Sequence, residues 1–151
     1  MDLKLKFGEN YILLAGLRQF IEHGVILSSV NFWRDSFQNF QELRAVDKRS
    51  EILKTNNAFY EDEFLVSFVN EEFPVFEDQI PDDVIPTVLK LIEHEEGPKT
   101  ASLTKEFLLQ YAVFIAKSSK EDYLAFVGIK DSISDEEQVF IEKIKHLFDE
   151  H

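Results

Sequence analysis

Apolar residues along this chain recur at steps of three and four, the spacing that places side chains on one face of an α-helix. From Glu9 to His23 the stripe is Tyr11, Leu14, Ala15, Leu17 and Ile21, and Gly24 comes next as a helix-ending glycine. Val25-Ile26-Leu27 reads as a short connector. Ser28 or Ser29 can cap a second helix carrying Val30, Trp33, Phe37 and Phe40. Asp47 can cap a short third helix through Ile52 and Leu53, which stops near Asn56-Asn57. A fourth spans Tyr60 to Asn70 and buries Phe64, Leu65, Phe68 and Val69. Pro74 ends any helix at that point, so Phe73 to Pro81 reads as an extended linker that pins Val75, Phe76 and Ile80 into the core.

The second half repeats the pattern. Asp82 and Asp83 precede a helix whose first turn tolerates Pro86 and whose inner face is Val88, Leu89 and Ile92. Gly97-Pro98 stops it. Thr100 or Ser102 opens the most apolar helix, with Leu103, Phe107, Leu108, Tyr111, Ala112 and Ile115 along one side, ending at Lys117 to Asp122. Tyr123 to Ile129 fits a short helix, a strand-like arm or an ordered loop. The last helix starts at a capping box, Ser134 with Glu137, and turns Phe140, Ile144, Leu147 and Phe148 inward. Lys143, Lys145 and His146 lie toward its negative dipole end. The pattern predicts an all-α fold: one compact domain over residues 1–151, a bundle of about six to seven helices with short connections.

Composition adds a Phe-rich core, with 15 phenylalanines against one Met and one Trp. The formal net charge is -13. Such a surface repels nucleic-acid phosphates and anionic lipid, so neither nucleic acid nor membrane is an expected partner, whereas a basic protein is. Strong acidity also serves solubility alone, and that is the commoner reason for it. The chain has no cysteine, hence no disulfide, thiolate metal site or cysteine nucleophile. The start Met1-Asp2-Leu3-Lys4-Leu5-Lys6-Phe7 lacks a signal peptide's apolar core, so a cytoplasmic protein is expected.

Two acidic groupings are candidate sites. Thr55 to Leu89 contains no lysine or arginine. Its Glu61, Glu71, Glu72, Asp82 and Asp83, interleaved with Phe59, Tyr60, Phe64, Phe68, Phe73 and Phe76, can form a partner-binding face with aromatic anchors. The alternative is a solvated face with the aromatics inside. The second grouping, Glu121, Asp122, Asp131, Asp135, Glu136 and Glu137, surrounds the last loop. It offers oxygen ligands for Ca²⁺ or Mg²⁺ or, more simply, helix-capping carboxylates. It is not an EF-hand: with Asp131 first, Ile133 stands at the third position and Glu136 replaces the sixth-position glycine. His23, His94, His146 and His151 share no metal-binding step, and neither a nucleophile elbow nor a Gly-rich phosphate loop occurs. Nothing specifies a catalytic constellation, so a non-enzymatic role is expected, with no cofactor required for folding.

Tyr111-Ala112-Val113-Phe114-Ile115-Ala116-Lys117-Ser118-Ser119, succeeded by Ser134-Asp135-Glu136-Glu137-Gln138-Val139-Phe140-Ile141-Glu142-Lys143-Ile144, resembles the paired helical unit of the tellurite-resistance TerB-like family. That unit is an apolar helix with a small-residue turn, then a serine- or aspartate-capped acidic helix. A fainter copy is Phe20-Ile21-Glu22-His23-Gly24-Val25 with Ser28-Ser29. The resemblance covers about a third of the chain. It implies a TerB-like helical bundle and an accessory role in stress or tellurite resistance, through a partner or a divalent cation. Ser119 and His23 stand where the family's turn aspartate would be, so Glu121, Asp122 or Asp131 would have to substitute as ligands. The competing expectation is an inhibitor- or immunity-type module whose acidic face masks a basic protein without metal. A homodimer through exposed Phe-rich segments also fits the composition.

Overall fold

The computed structural model describes residues 1–27, 49–76, 80–127 and 135–149, with side chains described for these except 23–27, 115–127 and 135–137. The fold is all-α. The helices are α1 (Leu3–Phe7), α2 (Tyr11–Leu27), α3 (Asn57–Glu61), α4 (Glu63–Asn70), α5 (Val84–Glu96), α6 (Pro98–Val127) and α7 (Asp135–Asp149). A 3₁₀ turn over Gly8–Asn10 joins α1 to α2, and residues 49–53 form a further helical turn. No strand occurs among the described residues. The expected second helix, Val30 to Phe40, and the Asp47 cap lie outside them.

The inner faces match the hydrophobic pattern. Leu14, Ala15, Leu17 and Ile21 of α2 are buried, as are Phe64, Leu65, Phe68 and Val69 of α4 and Val88, Leu89 and Ile92 of α5. So are Leu103, Phe107, Leu108, Tyr111 and Ala112 of α6, and Ile144, Leu147 and Phe148 of α7. All of these but Ala15 join one hydrophobic cluster. Helix α6 is its axis and packs most closely on α5 and α2, with α7 lying against α2, α5 and α6.

Several boundaries differ from the sequence expectation. Helix α2 continues through Gly24 to Leu27. A glycine within a helix costs only about 1 kcal/mol, so it does not by itself end one. The expected Tyr60–Asn70 helix is two helices meeting at Asp62. That residue has extended dihedrals (φ -85°, ψ 111°), ends α3, and caps α4 by accepting from the Leu65 N–H at 2.9 Å. The Thr100 hydroxyl donates to its second oxygen at 2.8 Å, tying the joint to α6. Helix α6 opens at Pro98, not at Thr100 or Ser102. One residue, Gly97, separates it from α5, with φ +100° and its N–H donating to the Glu93 carbonyl at 2.9 Å. Proline then serves as the first helical residue, where no N–H is needed. Helix α6 also runs through Lys117–Asp122 and most of the Tyr123–Ile129 stretch, to Val127. Nothing in Lys-Ser-Ser-Lys-Glu-Asp breaks a helix outright, since serine and aspartate lower helix propensity only slightly.

Candidate functional site

The acidic stretch from Glu61 to Asp83 divides between structural duties and free surface. Asp62 is consumed by capping and by Thr100. Glu71 accepts from the Tyr11 hydroxyl at 2.7 Å. Asp82 pairs with Lys143 of α7 at 2.8 Å. Glu61, Glu72 and Asp83 are exposed, and Asp83 stands at the start of α5 without a side-chain capping bond. The aromatics between them mostly point inward: Phe59, Phe64 and Phe68 are buried and Phe73 and Phe76 half-buried, leaving Tyr60 as the exposed ring at 62%. Val75, expected in the core, is 76% exposed, because Pro74 and the extended backbone turn it outward.

The second acidic grouping flanks the segment between α6 and α7, and none of its side chains is among those described. Glu121 and Asp122 lie on the continuous helix α6. Asp135, Glu136 and Glu137 form the first turn of α7, and Asp131 lies outside the described residues. Among the described residues no group of three or more His, Asp or Glu side chains is placed to hold a metal ion.

Inside the bundle is a cluster that the hydrophobic pattern did not announce. Arg18, Gln19 and Glu22 of α2, Arg49 of the 49–53 turn and Tyr111 of α6 are all buried. The Glu22 carboxylate joins them: Arg18 Nε lies 3.3 Å from one oxygen, and the other takes Arg49 at 3.4 Å and the Tyr111 hydroxyl at 2.9 Å. The guanidinium groups point to the end of α4. Arg18 donates to the Phe68 carbonyl at 2.9 Å and lies 3.4 Å from that of Val69, which accepts from Arg49 Nε at 2.9 Å. These are last-turn carbonyls, lacking helical partners and sitting at the negative end of the helix dipole. With no lysine or arginine between Thr55 and Leu89, α4 has no cation of its own to put there. Two arginines from elsewhere in the chain supply it. Burial pulls the Arg18 guanidinium below its ordinary range, and the neighbouring Arg49 adds to that. Burial also pushes the Tyr111 phenol well up, and the Glu22 charge reinforces the shift.

The sequence did carry one signal for this cluster. Arg18 and Glu22 fall within the apolar stripe of α2, on the face of Leu14, Ala15 and Ile21, where charges persist only when paired.

Beyond Asn70 the chain runs extended along α2. The Phe73 ring lies 5.2 Å from the Tyr11 ring, 5.8 Å from Phe68 and 4.6 Å from the Arg18 guanidinium carbon. Gln19 clamps Phe76 with both ends of its amide: Nε2 donates to the carbonyl at 2.8 Å and Oε1 accepts from the N–H at 2.9 Å. The Tyr11 phenol is pushed up from 10.0 to about 12, first by burial, then by the hydrogen bond to Glu71 and the charge of that carboxylate. Folding thus favours the protonated phenol. The stabilisation is complete below pH 10.0 and is lost as pH rises toward about 12. Ultraviolet difference absorbance should show tyrosine ionising near pH 12, and Tyr11→Phe should lower the amplitude there by one tyrosine, leaving the late ionisation of Tyr111. An unchanged amplitude in the variant would contradict the assignment.

No family model, curated protein or solved structure matches the chain. No described helix is long and apolar enough to cross a membrane.

Proposed function

We propose that the protein acts by binding a basic protein partner in the cytoplasm, and not by catalysis. The observation that carries this reading is the division of the carboxylates. Asp62, Glu71 and Asp82 have structural partners, whereas the carboxylates of Glu61, Glu72 and Asp83 stand at the surface without a hydrogen bond or ion pair among the described residues, on a chain of net charge -13. Exposed like charges raise the local potential and attract a cationic surface. The buried ionisable groups are committed to one another and to the end of α4, which suits a structural role better than a reacting one. The TerB-like resemblance supports an accessory role in stress or tellurite resistance exercised through a partner or a divalent cation, and the competing reading is an inhibitor- or immunity-type module that masks a basic protein without metal. Lack of cysteine fits a reducing compartment.

The test is calorimetric binding to a panel of small basic proteins, cytochrome c, lysozyme and ribonuclease A, on metal-stripped protein at low and physiological salt. Affinity should fall with salt. The triple variant Glu61→Lys/Glu72→Lys/Asp83→Lys should weaken binding by about tenfold or more, the sum of three exposed charge contacts. Binding indifferent to both changes, or no binding, defeats the proposal. Tightening by Ca²⁺ or Mg²⁺ alone would turn the choice to the cation-modulated form of the TerB-like role.

A further inference from the structure

We infer that residues 71–76 form a latch, closed on α2 by Gln19 and Tyr11, whose opening frees Glu71 for the partner. The inference rests on the proposed partner binding only for its second half. Between the end of α4 and Ile80 the chain has no helix or strand in its described part, and among the described contacts the backbone of 71–76 is hydrogen-bonded only through Phe76, to the Gln19 amide. Everything else that holds it is side chain: Glu71 on the Tyr11 hydroxyl, and the Phe73 ring against Tyr11, Phe68 and Arg18. Glu71, Phe73 and Phe76 turn toward α2, while Glu72, Pro74 and Val75 face out.

A segment held by a few side-chain contacts on a rigid helix opens below the free energy of global unfolding. Closed, the segment commits Glu71 to an internal hydroxyl. Open, it releases that carboxylate beside Glu72. Tyr11 and a cationic partner then compete for one group, and a partner that binds only the open form must shift the population toward it.

Two variants separate the parts. Gln19→Ala removes the backbone clamp. Tyr11→Phe keeps the ring against Phe73 and deletes only the hydroxyl. By NMR hydrogen exchange the Phe76 amide in the unaltered protein should exchange faster than the buried amides of α4, and Gln19→Ala should speed it about tenfold or more while the α4 amides hold their rates. Equal acceleration everywhere, or none at Phe76, overturns the latch. Tyr11→Phe should bind cytochrome c severalfold more tightly, by about the weight of one lost competing hydrogen bond, and adding cytochrome c to the unaltered protein should speed Phe76 exchange. Unchanged affinity and unchanged exchange on binding overturn the competition but leave the acidic face standing. A failure of both proteins to bind removes the acidic-face reading and the competition with it, and the Gln19→Ala result then decides the latch alone.

Discussion

Glu22→Leu should destabilise the fold by about 3–5 kcal/mol, the range for removing one member of a buried ion group, and lower the thermal midpoint by roughly 6–20 °C for a chain of this size. The cause is what the substitution leaves behind. Arg18 and Arg49 remain inside the bundle with no carboxylate between them, and the buried Tyr111 hydroxyl loses its acceptor. The end of α4 offsets part of the cost, because its carbonyls still accept from both arginines. A partial dipole charge of about one half cannot balance two guanidinium groups.

The combined variant Arg18→Met/Glu22→Leu/Arg49→Met separates charge from shape. Buried ion groups replaced together by apolar side chains often lose little stability. Here the Phe68 and Val69 carbonyls would lose their donors, at about 1–3 kcal/mol for an unsatisfied buried group. The triple variant should therefore sit between the single variant and the unaltered protein in a urea titration. If Glu22→Leu costs less than about 1 kcal/mol, the cluster is not the closed ion group described.

The inner faces were legible in the sequence because helical periodicity reports them directly: the buried residues of α4 and the Val88, Leu89 and Ile92 face of α5 fall where the spacing of apolar residues places them. Ends were less legible, for identifiable reasons. Asp62 reads as an ordinary acidic residue within an apolar-periodic run, and only its dihedrals and the hydroxyl of Thr100, far along the chain, show a joint. Gly24 has the identity of a helix stop, yet α2 continues past it. The acidic candidates were visible as residue types, but not their division into committed and free carboxylates, which depends on Tyr11 and Lys143 arriving from other helices. The buried cluster shows the same limit. Arg18 and Glu22 are one helical turn apart, but Arg49 and Tyr111 come from elsewhere in the chain, and the property that gathers them, a helix end without its own cation, belongs to α4 and not to any of them.

Phe59→Ala should cost about 3–5 kcal/mol, the range for emptying a fully buried aromatic site, and should act on one part of the surface first. Helix α3 has five residues, too few to persist by itself, since helix nucleation outweighs the gain from so short a segment. Two caps hold its ends: Asn56 accepts from the Ala58 N–H at 2.9 Å, and the Asp62 N–H donates to the Phe59 carbonyl. Phe59 is its one buried side chain, meeting the Phe107 ring edge-on at a centroid distance of 5.9 Å. Without that ring the helix keeps only the half-buried Ala58 against the core and the tie of its Asp62 end to Thr100. Urea unfolding should report the global loss, and hydrogen exchange should show residues 56–62 opening well before α5 or α6. Phe59→Leu should recover more than half of the stability, because a branched apolar side chain still fills most of the space. The position of Glu61 depends on α3, so Phe59→Ala should also weaken binding of a basic probe under conditions where the bundle remains folded. A loss below about 1 kcal/mol, or exchange that rises uniformly, would mean that α3 is held by something other than its single aromatic anchor.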